Sequence, residues 1–146
     1  MRGLSLTLLS SEKVSIIMDM YRNDLDGTKY LGGYNQDQIV ALVDGRQRLI
    51  WIVSEDELPI GFIDLQKEGE KGYFAYFVAK SYRRKGYGIR LLELIEEQSE
   101  KRGILFLEGS FESENIASQR ALEKTGFLIA TKPDKEGMIT ATKHIT

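Results

Sequence analysis

The hexapeptide Arg83-Arg84-Lys85-Gly86-Tyr87-Gly88 constrains this chain more than any other stretch. It follows a strand-like run, Tyr73-Phe74-Ala75-Tyr76-Phe77-Val78-Ala79, and it opens an amphipathic helix. Two glycines allow a tight turn and a close approach of backbone N–H groups to a ligand. The helix start adds N–H groups without partners and a partial positive charge. Three basic side chains crowd the same turn. This combination predicts a phosphate or pyrophosphate site, with Arg83 and Arg84 as phosphate contacts.

Two common phosphate loops do not fit. A nucleotide-hydrolase loop needs Gly, four residues, then Gly-Lys-Ser/Thr, which this chain lacks. A dinucleotide loop needs a third glycine three places after the second, and that position is Leu91. The spacing Arg-x-x-Gly-x-Gly, over Arg83, Gly86 and Gly88, instead resembles the coenzyme A pyrophosphate loop of the GNAT acyltransferase superfamily. Downstream, Asn115-Ile116-Ala117-Ser118 through Leu122 to Gly126-Phe127 resembles that superfamily's second motif. The local physics agrees: Asn115 suits an N-cap, Gly126 a helix end, and Ala117, Ala121 and Leu122 favour helix between them.

The remaining chain reads as alternating short elements. A strand over 4–9 leads to a helix over 12–22, whose Val14, Ile17, Met18 and Tyr21 fall at helical spacing. A glycine-containing loop precedes a second helix over 36–43. Strands follow over 48–54 and 60–66, joined by the turn Glu55-Asp56-Glu57-Leu58-Pro59. After the strand over 73–79 come a helix over 87–102, a strand over 104–111 and a helix over 115–125. Strands over 127–131 and 138–145 close the chain. The expectation is one domain over 1–146 with an α/β (α+β) fold. Its mixed sheet carries helices on both faces in the order β-α-α-β-β-β-α-β-α-β-β.

The GNAT resemblance implies that the two central parallel strands, 73–79 and 104–111, splay apart with acyl-CoA in the gap. Backbone left unpaired by such a gap can bond an extended ligand as an added strand would. The resemblance assigns this role to Phe77 and Val78, beside Tyr76. It seats the pyrophosphate on Arg84, Lys85, Gly86, Tyr87, Gly88 and Ile89, and sets the Asn115 side chain against the pantetheine arm. Asn115 is equally an N-cap.

Acetyl-CoA is therefore the expected cosubstrate, and a primary amine, small-molecule or peptide, the expected acceptor. A thioester is already activated, so the amine, once deprotonated, can attack directly. Glu108 resembles in placement the glutamate that some members use as base; the alternative is an ordinary solvent-facing strand residue. Glu112 is the runner-up. Val78 N–H is the candidate oxyanion donor. The position of the family's general-acid tyrosine, seven after Asn115, is Leu122 here, which leaves Ser118, Tyr76 or water to protonate the thiolate. Leu122 with Asn-x-x-Ser resembles the ribosomal-protein N-terminal acetyltransferases. That missing tyrosine also keeps open an acyl-CoA-binding sensor without turnover. Tyr30, Tyr34, Trp51 and Tyr73 are candidates to line an acceptor pocket. The acidic runs 24–26 and 55–57 are candidates to attract a cation, or plain turns.

Composition narrows the classes further. With no cysteine, a Cys nucleophile and disulfides are excluded. The single histidine, His144, lies near the C-terminus, so metal catalysis is not expected. A net charge of -2 argues against general nucleic-acid binding. The apolar run after Arg2 is too short and too alternating for a signal peptide or a membrane span, so a cytoplasmic protein is expected. Homodimers are common in folds resembling this one.

Overall fold

The computed structural model describes residues 3–22 and 48–145. Strand β1 (Leu4–Leu8) leads through a short 3-10 turn, Ser11–Lys13, into helix α1 (Val14–Arg22). Strands β2 (Arg48–Glu55), β3 (Leu58–Glu68) and β4 (Lys71–Val78) form an antiparallel meander. A 3-10 turn, Lys80–Tyr82, and the glycine turn connect β4 to helix α2 (Tyr87–Glu100). Then come β5 (Phe106–Glu112), α3 (Ile116–Lys124), β6 (Leu128–Ile129) and β7 (Met138–His144). Among the described residues, seven strands join one sheet in the order β1-β2-β3-β4-β5-β7-β6. Of their pairings only β4–β5 is parallel. The expected mixed sheet is therefore present in this order; the helix expected over 36–43 lies outside the described residues.

Strand alternation sorts the side chains to two faces. On one face, Val53, Ile63, Leu65, Leu107, Phe111 and Ala141 pack against Leu91, Leu92 and Ile95 of α2 and Leu122 of α3. On the other, Ile50, Ile52, Phe62 and Phe77 pack against Leu9 and against Val14, Ile17 and Met18 of α1. Each fully buried aliphatic side chain contributes ~1.5–3 kcal/mol relative to exposure, so both layers are needed to hold the sheet. Trp51 belongs to the α2 face, with the Arg102 guanidinium 5.0 Å over its ring. It therefore lies on the opposite face from Tyr73 and does not share a pocket with it.

Two element boundaries differ from the sequence expectation for local reasons. The β2–β3 connection is only Asp56-Glu57, both left-handed with φ of 51° and 69°, the hairpin geometry whose twist matches its strands. Pro59 consequently enters β3, opposite Ser54, where the register shifts between Val53 and Ser54. A bulge suits a residue that has no N–H to donate. The strand expected over 127–131 shrinks to Leu128–Ile129. Beyond it, Asp134 Oδ1 accepts from the N–H groups of Glu136 and Met138 and folds the connection into a turn.

Candidate active site

The parallel ladder between β4 and β5 is short. It pairs Lys71 with Phe106, Gly72 with Leu107 and Tyr73 with Glu108, and then stops. Meanwhile β4 stays paired to β3 as far as Val78, and β5 to β7 as far as Glu112. The strands therefore part into a wedge between residues 74–78 and 109–112. Where they part, a Cβ at Gly109 would lie 2.5–2.8 Å from three ring atoms of Phe74, so the Phe74 ring occupies the place a β5 side chain would take. Phe127 packs on that ring at 5.3 Å between centroids.

Backbone direction within the wedge follows from one hydrogen bond. Ala79 N–H donates to Ile60 O at 2.8 Å, so the odd-numbered residues of β4 face β3 and the even-numbered ones face β5. The Glu70 carbonyl obeys the same parity, accepting from Leu105 and Phe106 on the β5 side. Tyr76 thus presents its N–H and C=O to the wedge, and Val78 its N–H, while the Val78 carbonyl accepts from Arg83 Nε. Phe77 presents neither group there. Its carbonyl turns to β3 and would clash with any Cβ at Gly61, and its ring stacks on Phe62 at 5.3 Å. The expected backbone role of Phe77 is corrected accordingly, and it passes to Tyr76.

At the wedge mouth the chain makes the glycine turn. Gly86 is left-handed, with φ of 87°, and caps α2. Arg84 is also left-handed, with φ of 62°. Gly88 is not: it sits in the first turn of α2, where a Cβ would lie 3.7 Å from the Tyr76 ring and 3.9 Å from Ala121. Only one of the two glycines is therefore required for the turn itself; at Gly88 a Cβ would make ordinary van der Waals contacts. The N–H groups at the start of α2 have no earlier helical carbonyl to bond, and the helix dipole adds positive potential there. Arg84 and Lys85 are exposed on this turn, and Ile89 packs inward on the α2-side core.

Arg83 and Tyr87 serve the turn differently from the expectation. The Arg83 Nε donates to Val78 O at 2.9 Å, and its guanidinium lies 5.2 Å over the Phe77 ring, so it reaches back to the end of β4. Tyr87 is buried beneath the turn, edge-on to Tyr82 at 5.5 Å. Its hydroxyl donates to Glu55 Oε1 at 2.8 Å, and this bond, with burial second, raises the Tyr87 pKa above its ordinary value. The Glu55-Asp56-Glu57 turn accordingly stands at the glycine-turn end of the sheet. The Glu55 carboxylate is engaged there with Tyr87, while Asp56 and Glu57 are exposed on the turn. The other acidic run, 24–26, and the aromatics Tyr30 and Tyr34 lie outside the described residues.

Two polar stations flank the wedge on opposite faces. On the α3 side, the Tyr76 hydroxyl donates to Ser118 Oγ at 3.2 Å. Burial raises the Tyr76 pKa, and the Ser118 bond opposes this in part. Asn115 caps α3: its Oδ1 accepts from Ser118 N–H at 3.2 Å, which also aims Ser118 at the wedge. Leu122 is buried in the core and offers no polar group. On the α1 side, Glu108 sits on the last paired rung, opposite Tyr73, and forms a 3.0 Å ion pair with Lys71 Nζ. The same ammonium lies 4.9 Å from the Tyr73 ring centre. The Glu108 hydrogen bond, then that of Tyr73, raises the Lys71 pKa. A second ion pair on this face, Arg48 Nε to Asp64 Oδ1 at 3.0 Å, is a charge contact rather than an aligned hydrogen bond. Glu112 ends β5, and its carbonyl accepts from Asn115 N–H at 2.8 Å.

A parallel pair splayed beside a glycine turn and a helix start is the arrangement that the GNAT resemblance implies. Residues 16–127 match the family model described as Acetyltransferase (GNAT) family, and the chain belongs to that family. An uncharacterized N-acetyltransferase, YfmK of Bacillus subtilis (strain 168), is 23% identical over 135 residues, 91% of each chain. The fold is shared with yncA from Salmonella typhimurium, solved with its cofactor acetyl-CoA: TM-score 0.80 and 14% identity, over 99% of this chain and 95% of that one. It is shared equally with the ribosomal-protein-S18-alanine N-acetyltransferase from Escherichia coli, at TM-score 0.78 and 19% identity, over 99% and 95%.

Gly109 and Phe74, which meet where the strands part, escaped the sequence reading, as did Lys71, which partners Glu108. Nothing in local sequence marks a glycine that meets a ring from another strand.

Proposed function

We propose that this GNAT protein moves an acetyl group from acetyl-CoA to a primary amine by direct attack. The observation that carries the reading is the wedge: it ends at the Tyr73–Glu108 rung and opens at the glycine turn. Extended pantetheine would bond the wedge-facing backbone of Tyr76 and Val78, with its pyrophosphate on the start of α2. The acetyl-CoA bound by the Salmonella typhimurium relative of this fold supports the choice of cosubstrate.

The chemistry then distributes over named groups. Glu108, directly or through water, takes the proton that the amine must lose. The amine nitrogen bonds the thioester carbon, and the carbonyl oxygen gains charge that the wedge-facing N–H of Tyr76, nearer the Glu108 rung than that of Val78, is directed to receive. On collapse the C–S bond breaks and the electron pair leaves on sulfur. Ser118 Oγ–H can return a proton to the thiolate and draw one from Tyr76, whose hydroxyl already donates to it. Burial keeps the Tyr76 phenol protonated beyond the ordinary tyrosine range, so it holds this proton at neutral pH.

The burial of Leu122, where the family's acid tyrosine would stand, favours one second reading: an acyl-CoA-binding protein without turnover. Calorimetry on the purified chain tests the shared premise, with adenosine diphosphate and NAD as controls. Selective micromolar binding of acetyl-CoA is expected, and Gly86→Val abolishes it, because a β-branched residue at φ of 87° forces the turn open. Absence of binding to the wild type sinks both readings. Turnover with a panel of amines then separates enzyme from sensor.

A further inference from the structure

Lys71, Tyr73 and Glu108 form a cluster whose chemistry goes beyond supplying a base. A carboxylate at 3.0 Å and an aromatic face at 4.9 Å enclose one ammonium group. Such a pairing recognises an alkylammonium: the carboxylate takes its N–H donors, and the ring face attracts the cation. The group now held there is the chain's own. Lys71 precedes Tyr73 by two positions on the same strand face, so its four-carbon arm runs along β4 to the Glu108 carboxylate.

The place of this cluster is as telling as its composition. Tyr73–Glu108 is the last rung before the strands part. From there to Val78, at the glycine-turn end, is about 16 Å along the strand. A ligand entering from the glycine turn therefore brings its far end to this rung. The cluster faces α1, whereas Tyr76 and Ser118 lie on the α3 side. An amine arriving at the cluster thus meets the wedge from the face opposite the group that protonates the thiolate.

We propose that Tyr73 and Glu108 are the seat of the acceptor's ammonium group, and that Lys71 fills it as an intramolecular stand-in until an acceptor displaces it. The acceptor class is a flexible primary alkylamine, of which a lysine-like arm is the pattern already present. This inference rests on the acetyl-transfer reading for its purpose, though not for its detection. The side chains of Lys71 and Glu108 are 41% and 33% exposed, so water and solutes reach the pair. An ion pair so exposed competes only weakly, by about five-fold at most, and an incoming ammonium replaces it with a bond of the same kind.

The probe is n-butylammonium, titrated by calorimetry into wild type, Lys71→Met and the double variant Lys71→Met/Glu108→Gln, with acetyl-CoA affinity measured alongside. Lys71→Met keeps the apolar stem and removes the competitor. It is expected to tighten n-butylammonium binding by roughly two- to five-fold at low salt, leaving acetyl-CoA affinity unchanged. Adding Glu108→Gln is expected to weaken binding by roughly two- to five-fold relative to Lys71→Met. In turnover the same Lys71→Met lowers KM for n-butylamine, an effect that a structural role for the lysine would not produce. Unchanged or weaker n-butylammonium binding by Lys71→Met overturns the inference, as does binding that ignores Glu108→Gln. If the wild type fails to bind acetyl-CoA, the acetyl-transfer reading falls by itself. The seat is then still upheld or overturned by the n-butylammonium titration.

Discussion

Gly109→Ala tests the packing of Phe74 over β5 where the strands part. The new methyl would lie 2.5 Å from Phe74 Cζ and 2.8 Å from both Cε atoms. Comfortable carbon contacts are about 3.5–4.0 Å, so the ring must withdraw by roughly 1 Å. Phe127 packs on the same ring at 5.3 Å between centroids, so a shift of Phe74 disturbs that contact too. Overpacking of this kind costs ~1–3 kcal/mol. At ~2–4 °C per kcal/mol for a chain of this size, the melting temperature should fall by roughly 3–10 °C. The decisive assay is a double-mutant cycle by thermal and urea unfolding with Phe74→Leu, which removes the ring atoms that clash. The two substitutions should couple favourably by ~1 kcal/mol or more, so that the double variant is less destabilised than the sum of the singles. A melting temperature for Gly109→Ala within ~1 °C of wild type would refute the account. So would strict additivity, because the ring would then not be what fills the place of a β5 side chain.

The opposite walls of the wedge yield two further expectations. Asn115→Ala removes the bond to Ser118 N–H and should cost ~1 kcal/mol, whereas Asn115→Asp keeps the cap and the stability. Acetyl-CoA affinity lost in the aspartate variant at unchanged melting temperature would show that the amide itself meets the ligand; equal affinity would confine Asn115 to capping. Tyr76→Phe should lower kcat by roughly ten- to a hundred-fold near pH 7, and by less above the ~8.5 at which a thiolate leaves unaided. Because burial raises the Tyr76 pKa above 10.0, the unfolded chain ionises first, so this group's effect on stability emerges only as pH climbs past 10. An unchanged kcat in Tyr76→Phe would remove the phenol from the mechanism, and a fall in melting temperature between pH 7 and 9 traced to Tyr76 would contradict its burial.

What sequence determined here is local and periodic. The glycine turn, the Asn115 cap and the left-handed Gly126 after α3 each lie within one turn of backbone, where φ preference and capping act residue by residue. Helix and strand faces were legible for the same reason, since an apolar period of 3.6 or 2 is written along the chain. Tertiary structure decided whatever depends on which strand lies beside which. The meeting of Gly109 with Phe74 joins two strands at the wedge, and strand parity gives the wedge backbone to Tyr76 and Val78 rather than Phe77. The turn of Arg83 onto Val78, the Glu55–Tyr87 bond and the seating of Lys71 on Glu108 likewise join residues on different elements or across the glycine turn. Lys71 and Glu108 are far apart in sequence and meet only because β4 and β5 pair in parallel through a crossover helix. No local propensity encodes that register; it is set by the packing of α2 and α3 on one face of the sheet and α1 on the other.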